Sequence, residues 1–126
     1  MFTLGRSYTR AEIHEVVGGG VQEFLPNKAG RVVGACLRID TNPDAPAVVL
    51  PGSGPGIERA AELLVQQRSP VPTFLKRSVG EWEYVGLFVV SAQSTRPDDI
   101  AFHSQRAGRT DTITSVIHLL PAEVAP

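Results

Sequence analysis

Apolar positions recur with helical spacing twice along the chain and with strand spacing in the stretches around them. The first helix opens at Thr9-Arg10-Ala11-Glu12, a capping box in which Glu12 reaches back to the Thr9 amide. It sets Ile13, Val16 and Val17 on one face and stops at Gly18-Gly19-Gly20. The second helix, from Pro55, carries Ile57, Ala60, Ala61 and Leu64 on its core-facing stripe, with Arg68 in its last turn and Pro70 blocking continuation. Between the helices, residues 31–39 (RVVGACLRI) are apolar on both faces, which predicts a strand at the centre of a sheet rather than at its edge. Residues 2–4 and 47–50 read as short strands, and residues 71–77 and 83–92 as a hairpin joined by Ser78-Val79-Gly80-Glu81. Residues 113–120 alternate as a last strand. Residues 93–111 are polar and lack a clean period, although Pro97-Asp98-Asp99-Ile100 has the form of a helix start. About six strands and two main helices without a βαβ rhythm predict an α+β domain. Its sheet is expected to be curled, mostly antiparallel and barrel-like.

Length and composition narrow this picture. At 126 residues the chain is of one-domain size, expected to fill residues 1–120 and to fray over 121–126. With 42% hydrophobic and 20% charged residues it has the balance of a folded globular chain. No apolar run is long enough to span a membrane, and residues 1–8 lack the apolar segment of a leader, so neither is expected. The single cysteine, Cys36, permits no internal disulfide and suits a reducing, cytoplasmic compartment. A net charge of −1 argues against strong non-specific attraction to nucleic acid over the whole surface. The cations are nevertheless skewed, ten arginines to two lysines, and the guanidinium fork suits phosphates and base edges.

Catalytic signatures are absent from the sequence. His14, His103 and His118 stand far apart without a second ligand at metal spacing, so no metal site and no cofactor are expected. No Gly-x-Ser-x-Gly occurs, Cys36 sits mid-strand, and no carboxylate pair suggests acid–base work. Binding features are more plentiful. Gly52 to Gly56 opens a helix, and Gly54 and Gly56 either contact a phosphate through free amides or simply form the turn. Trp82 and Tyr84, two apart in a strand, share one face, where they pack the core or wall a pocket for a planar ligand. Asp40-Thr41-Asn42-Pro43-Asp44 is a turn by composition and also a concentration of hydrogen-bonding side chains. The loop Gly18-Gly19-Gly20-Val21-Gln22 precedes the strand that ends at Ile39, and is therefore expected beside that turn.

Residues 52–90 (GSGPGIERAAELLVQQRSPVPTFLKRSVGEWEYVGLFVV) resemble the second half of SRA (SET and RING-associated) domains. The matching stretches are Val71-Pro72-Thr73-Phe74-Leu75-Lys76-Arg77 and Trp82-Glu83-Tyr84-Val85-Gly86-Leu87-Phe88-Val89-Val90. Residues 2–14 with the glycines at 18 to 20 are similar to the start of SRA-like domains in modification-dependent HNH restriction endonucleases. The chain departs from the family in having Val85 where SRA domains carry an aspartate, no alignable Tyr/Asp pocket pattern and no nuclease motif.

The resemblance implies a PUA-like β-barrel that binds duplex DNA and flips a modified cytosine into a pocket, without catalysis, any cutting being left to a separate nuclease or effector chain. Alternatives are a PUA-like module for RNA or a free nucleotide, and a small enzyme using the Asp40 to Asp44 loop. The base-pocket candidates are Asp40, Asn42, Asp44 and Gln22, with Tyr8 and Trp82 marking a second candidate face. Phosphate contacts are expected from Arg31, Arg38, Lys76 and Arg77, with Gly54 and Gly56 at the helix turn.

Overall fold

The computed structural model describes residues 1–122. A two-residue strand β1 (Ser7–Tyr8) leads into α1 (Arg10–Val17), and the capping box is complete. The Glu12 amide donates to Thr9 Oγ1 at 3.1 Å, and the Thr9 amide to Glu12 Oε1 at 2.8 Å. One short pair follows, β2 (Asn27–Lys28) with β3 (Arg31–Val32), before β4 (Ala35–Leu37) and β5 (Val48–Val49). Helix α2 (Pro55–Gln67) then delivers the chain into the hairpin of β6 (Val71–Ser78) and β7 (Glu81–Ser94). Helix α3 (Pro97–Ala107) and strand β8 (Val116–Pro121) complete it.

The main sheet runs β4-β6-β7-β8-β5, with β1 paired to the free end of β7. Only the β4–β6 pair is parallel; the others are antiparallel, so the domain is α+β with a mostly antiparallel sheet. β7 is long enough to pair with β1 and β6 at one end and β8 at the other, and register shifts bend it on both sides. Among the described residues no ladder joins β4 to β5, so the strand path is open.

Two cores lie on opposite faces of β4 and β6. On one, α2 lays Ala60, Ala61 and Leu64 against Leu37, Val71, Leu75 and Ile117. On the other, Tyr8, Ile13, Cys36, Phe74 and Trp82 cluster, with Phe2 and Tyr84 packed at the edge. Cys36 and Phe74 thus face away from their neighbours Leu37 and Leu75, as strand alternation demands.

Several expectations need correction. The first strand is Ser7–Tyr8, not residues 2–4; Phe2 instead packs edge-on to Tyr8 and Phe74, 5.0 and 4.9 Å away. Residues 31–39 are not one central strand. They break between β3 and β4, where the Val33 amide turns to Pro26 O (2.8 Å) and the Cys36 amide to Phe24 O (2.7 Å). β4 ends the sheet, and its apolar run reflects cover on both faces by the two cores rather than a central place. Three helices form rather than two. α3 buries no side chain, so it left no apolar period in the sequence; Pro97 and the acidic first turn start it, and Gly108 ends it. Val16 and Ile57, expected in the core, are exposed. The expected tail keeps its first residues in place, Pro121 in β8 and the Ala122 amide on Leu87 O, while residues 123–126 lie outside the described residues.

Candidate nucleotide-binding site

Three hollows adjoin along one side of the domain. The first, about 430 Å³, has an apolar floor of Phe24, Leu50, Ile57 and Ala60 beneath a polar rim. The second, about 260 Å³, shares Gln22, Phe24, Thr41 and Asn42 with it and is closed by Arg10, Cys36 and Trp82. The third, about 310 Å³, is a shallow groove that shares Arg38 and Lys76 with the second and continues to Arg77 and Val79.

Asn42 builds the wall between the first two. It is buried, and its Nδ2 donates to Arg38 O (3.2 Å) and Thr41 Oγ1 (3.1 Å) while its Oδ1 accepts from the Leu50 amide (2.8 Å). One amide side chain therefore ties the end of β4 to the end of β5. Arg109 clamps the same loop from the far side: its Nη1 donates to Thr41 O (3.2 Å) and Leu50 O (2.7 Å). Its Nε and Nη2 engage both oxygens of Asp111 at 2.9 and 2.7 Å, and this guanidinium holds the Asp111 carboxyl below its ordinary range. The opposite wall is the loop after α1. Gly19 (φ +77°) comes so close to Pro26 that an added Cβ would lie 2.9 Å from the proline Cβ and 3.1 Å from the Asn27 nitrogen. The glycine run thus lets the chain approach its own backbone.

The first two hollows differ in charge. Glu23 and Asp111 stand at the rim of the first, where Arg109 offsets Asp111. The second has no carboxylate in its lining, but three cations: Arg10, Arg38 and Lys76. The Arg10 guanidinium lies 5.2 Å from the Trp82 ring centroid and Lys76 Nζ 5.7 Å from it. Cys36, beneath them, is a neutral thiol, since burial pushes its pKa up to about 11 against the pull of Arg10.

The sequence candidates divide accordingly. Gln22 and Asn42 meet at the shared wall, with Trp82 on the far side of the second hollow. Asp40 lies in the shallow groove with its carboxylate bound to Arg38 (2.7 and 3.2 Å), which holds its pKa down. Asp44 turns to α3, where Arg106 grips it at 2.6 and 2.8 Å and lowers its pKa likewise. Tyr8 is buried in the aromatic core, its hydroxyl accepting from the Thr3 amide at 2.8 Å. Trp82 and Tyr84 do share a face, and both join that cluster.

Among the proposed phosphate contacts, Arg38 and Lys76 share two hollows, and Arg77 is paired with Glu83 at 2.6 Å. Arg31 stands apart on β3, bonded to Ser69. Gly56 lines the first hollow. Gly54 (φ +133°) caps α2, and its amide already serves the Glu58 carboxylate at 2.9 Å, where a phosphate would otherwise sit.

Sequence reasoning missed Arg10, Phe24, Leu50, Arg109 and Asp111 as site residues. In the sequence Arg10 stands out only within the capping box and the SRA-like stretch 2–14. Arg109 meets partners 59 and 68 residues away, a relation no local pattern encodes. Among the described residues no group of three or more His, Cys, Asp or Glu side chains is placed to hold a metal, and no helix is long and apolar enough to cross a membrane.

Among solved structures, the chain is similar to SRA domains. The SUVH5 SRA domain in complex with hemi-methylated CG DNA matches with a TM-score of 0.62 at 13% identity, over 98% of this chain and 90% of that one. KRYPTONITE in complex with mCHG DNA and SAH matches with a TM-score of 0.62 at 12% identity, over 99% of this chain and 33% of that one. The sulfur binding domain and SRA domain of ScoMcrA complexed with phosphorothioated DNA match with a TM-score of 0.55 at 14% identity, over 98% and 41%. No family model matches the chain, and no curated protein matches its sequence. At such identities the likeness is one of fold, and the fold is that of SRA domains.

Proposed function

We propose that the chain is a non-catalytic reader of duplex DNA carrying a modified base, which it flips out of the helix into the first hollow. The observation that carries the reading is the pairing, on an SRA fold, of a concave, apolar-floored hollow with a cation-lined one across a shared wall. Extruding a base costs a few kcal/mol of stacking and pairing, which its new site must return. Phe24 and Leu50 supply the stacking surface, an aromatic and an aliphatic side chain in place of an aromatic sandwich. Gln22 and the Glu23 carboxylate, both exposed at the rim, supply donors and acceptors for the base edge, and a carboxylate suits a cytosine amine, while Asp111 is already taken up by Arg109. Asn42 holds the wall and contributes through position. With Asp111 matched by Arg109, Glu23 is the unmatched charge of this rim among the described residues, while Lys76 and Arg38 draw the phosphate backbone to the other side.

The curled, barrel-like sheet belongs to the same reading, as do a cytoplasmic location and a separate nuclease or effector chain for any cutting. The test is competition binding with labelled duplexes bearing 5-methylcytosine on one strand, both strands or neither, alongside a phosphorothioated duplex and an RNA duplex. A modified duplex should win by about tenfold or more, the margin of a reader with one base-specific pocket. Equal affinity for every duplex would overturn the proposal, and preference for RNA would redirect it to a PUA-like RNA module.

A further inference from the structure

The second hollow contains an unusual group. Nε of Arg10 is the one buried side-chain nitrogen or oxygen without a hydrogen-bond partner among the described residues. The side chain around it is nevertheless fixed. Its Nη2 donates to Gly20 O (3.2 Å) and Glu23 O (2.8 Å), and the guanidinium lies over Trp82. No carboxylate pairs with Arg10 or with Lys76 among the described residues, and the Cys36 thiol beneath them stays neutral. Two positive charges from half-buried side chains thus converge on one half-open space with a donor left over, an arrangement that an anion would complete.

We propose that this hollow is a phosphate-binding subsite, with Arg10 Nε and Lys76 Nζ as its donors and Trp82 as the platform that holds both cations in place. Nε is out of water's reach as the side chain stands, so a small rotation of the Arg10 guanidinium brings its idle Nε–H to a phosphate oxygen, and Lys76 meets a second oxygen as a mobile point charge. About 260 Å³ accommodates one such group rather than a run of backbone. Arg38 is a weaker third contributor, since Asp40 already occupies its fork. If the chain reads DNA as proposed above, and only on that reading, the phosphate is one flanking the extruded nucleotide, because the two hollows share a wall.

Trp82 is the only tryptophan, so its emission reports directly on this space. The whole chain is titrated with inorganic phosphate, and with acetate at matched ionic strength as control. A short single-stranded oligonucleotide with no terminal phosphate provides a third arm that tells a backbone phosphodiester from free phosphate. Phosphate should change the emission saturably where acetate does not, and Lys76→Gln should weaken it by about tenfold, a whole charge-assisted contact. Arg10→Lys, which keeps the charge but removes Nε–H, should weaken it similarly. Phosphate acting no differently from acetate, or a folded Lys76→Gln protein titrating like the parent, would overturn the subsite. Free phosphate binding without any oligonucleotide response would assign the site to a small anion and overturn the backbone role. No modified duplex enters this titration, so it can fail while discrimination between duplexes stands, and succeed where that discrimination fails.

Discussion

Arg109 and Arg10 stand on either side of the wall built by Gln22, Phe24, Thr41 and Asn42, and they spend their donors differently. Arg109, its side chain only 10% exposed, gives two hydrogen bonds to backbone carbonyls and two to Asp111, so its charge is matched and its fork is full. Arg10 gives two to carbonyls and leaves Nε without a partner, and no carboxylate forms a salt bridge with it among the described residues. The contrast separates a clamp from a receptor. A cation that holds a fold together is saturated within the fold, whereas one that awaits a ligand is held in place by part of its donors and left short of a partner.

The widest test of that contrast is to remove each guanidinium in turn. Arg109→Met strands the carbonyls of Thr41 and Leu50, and should lower unfolding stability by about 3 kcal/mol in urea titration. Arg10→Met removes two partly exposed bonds but also an idle buried donor, and should cost about 1 kcal/mol or less. Equal losses would erase the distinction. A pH signature accompanies Arg109. Because Arg109 lowers the Asp111 pKa in the folded state, the pair's contribution is complete above the ordinary value of about 3.9 and is lost as pH falls through the lowered one. Arg109→Met should therefore flatten the acid limb of the stability curve. The effect is small, since the Asp111 side chain is 56% exposed.

Next in size is the wall itself. Asn42→Ala leaves the Leu50 amide and Arg38 O without their side-chain partner, and should cost about 2 kcal/mol by the same measurement. Binding of a modified duplex should fall with it even where the protein remains folded, because both hollows lose their partition. A stable Asn42→Ala protein with parental affinity would mean that the two spaces act independently.

What the sequence disclosed depended on how local the cause was. The capping box of α1, the glycine turn ahead of α2 and the Val79–Gly80 hairpin are set by residues within a few positions of one another, and each was readable. β4 was misplaced because an apolar run reports burial, and burial on both faces occurs at a sheet's end when two cores cover it. α3 was nearly invisible because a helix that buries nothing has no apolar stripe. Of the candidates named through loop and strand chemistry, Gln22, Asn42, Lys76 and Trp82 line the second hollow together. Asp40 and Asp44 were named by the same logic, yet arginines engage both, and one of those arginines comes from a helix 62 residues away.

The cations around the groove are likewise unequal. Lys76 is unpaired among the described residues, while Arg77 is bound to Glu83 and Arg31 to Ser69 on another part of the surface. Lys76→Gln should therefore reduce duplex affinity by about tenfold and lower the slope of log affinity against log salt by about one, uniformly across duplexes. Arg31→Gln should leave both unchanged. Equal effects from the two would spread the phosphate contact over the whole surface, and the asymmetry between the hollows would lose its meaning.

The smallest expected effect bears most sharply on Asp40. As an edge reader for a cytosine amine, Asp40 would be needed, and Asp40→Asn would weaken binding to modified duplexes alone. Its geometry points the other way: both carboxylate oxygens engage Arg38, with Nη2–Oδ2 at 2.7 Å, in the groove that Arg38 and Lys76 share. That carboxylate masks a cation, and Arg38 in turn keeps it ionised by lowering its pKa, so the mask persists into the acid side of the ordinary carboxylate range. Asp40→Asn keeps the shape, removes one negative charge and frees the Arg38 fork. The affinity gain should be small, about twofold to fivefold at low salt, because the pair is exposed and water already screens it. It should vanish as salt rises and be the same for modified and unmodified duplexes, since phosphates rather than bases respond to it. A loss confined to the modified duplex would instead return Asp40 to the base pocket and place that pocket in the shallow groove.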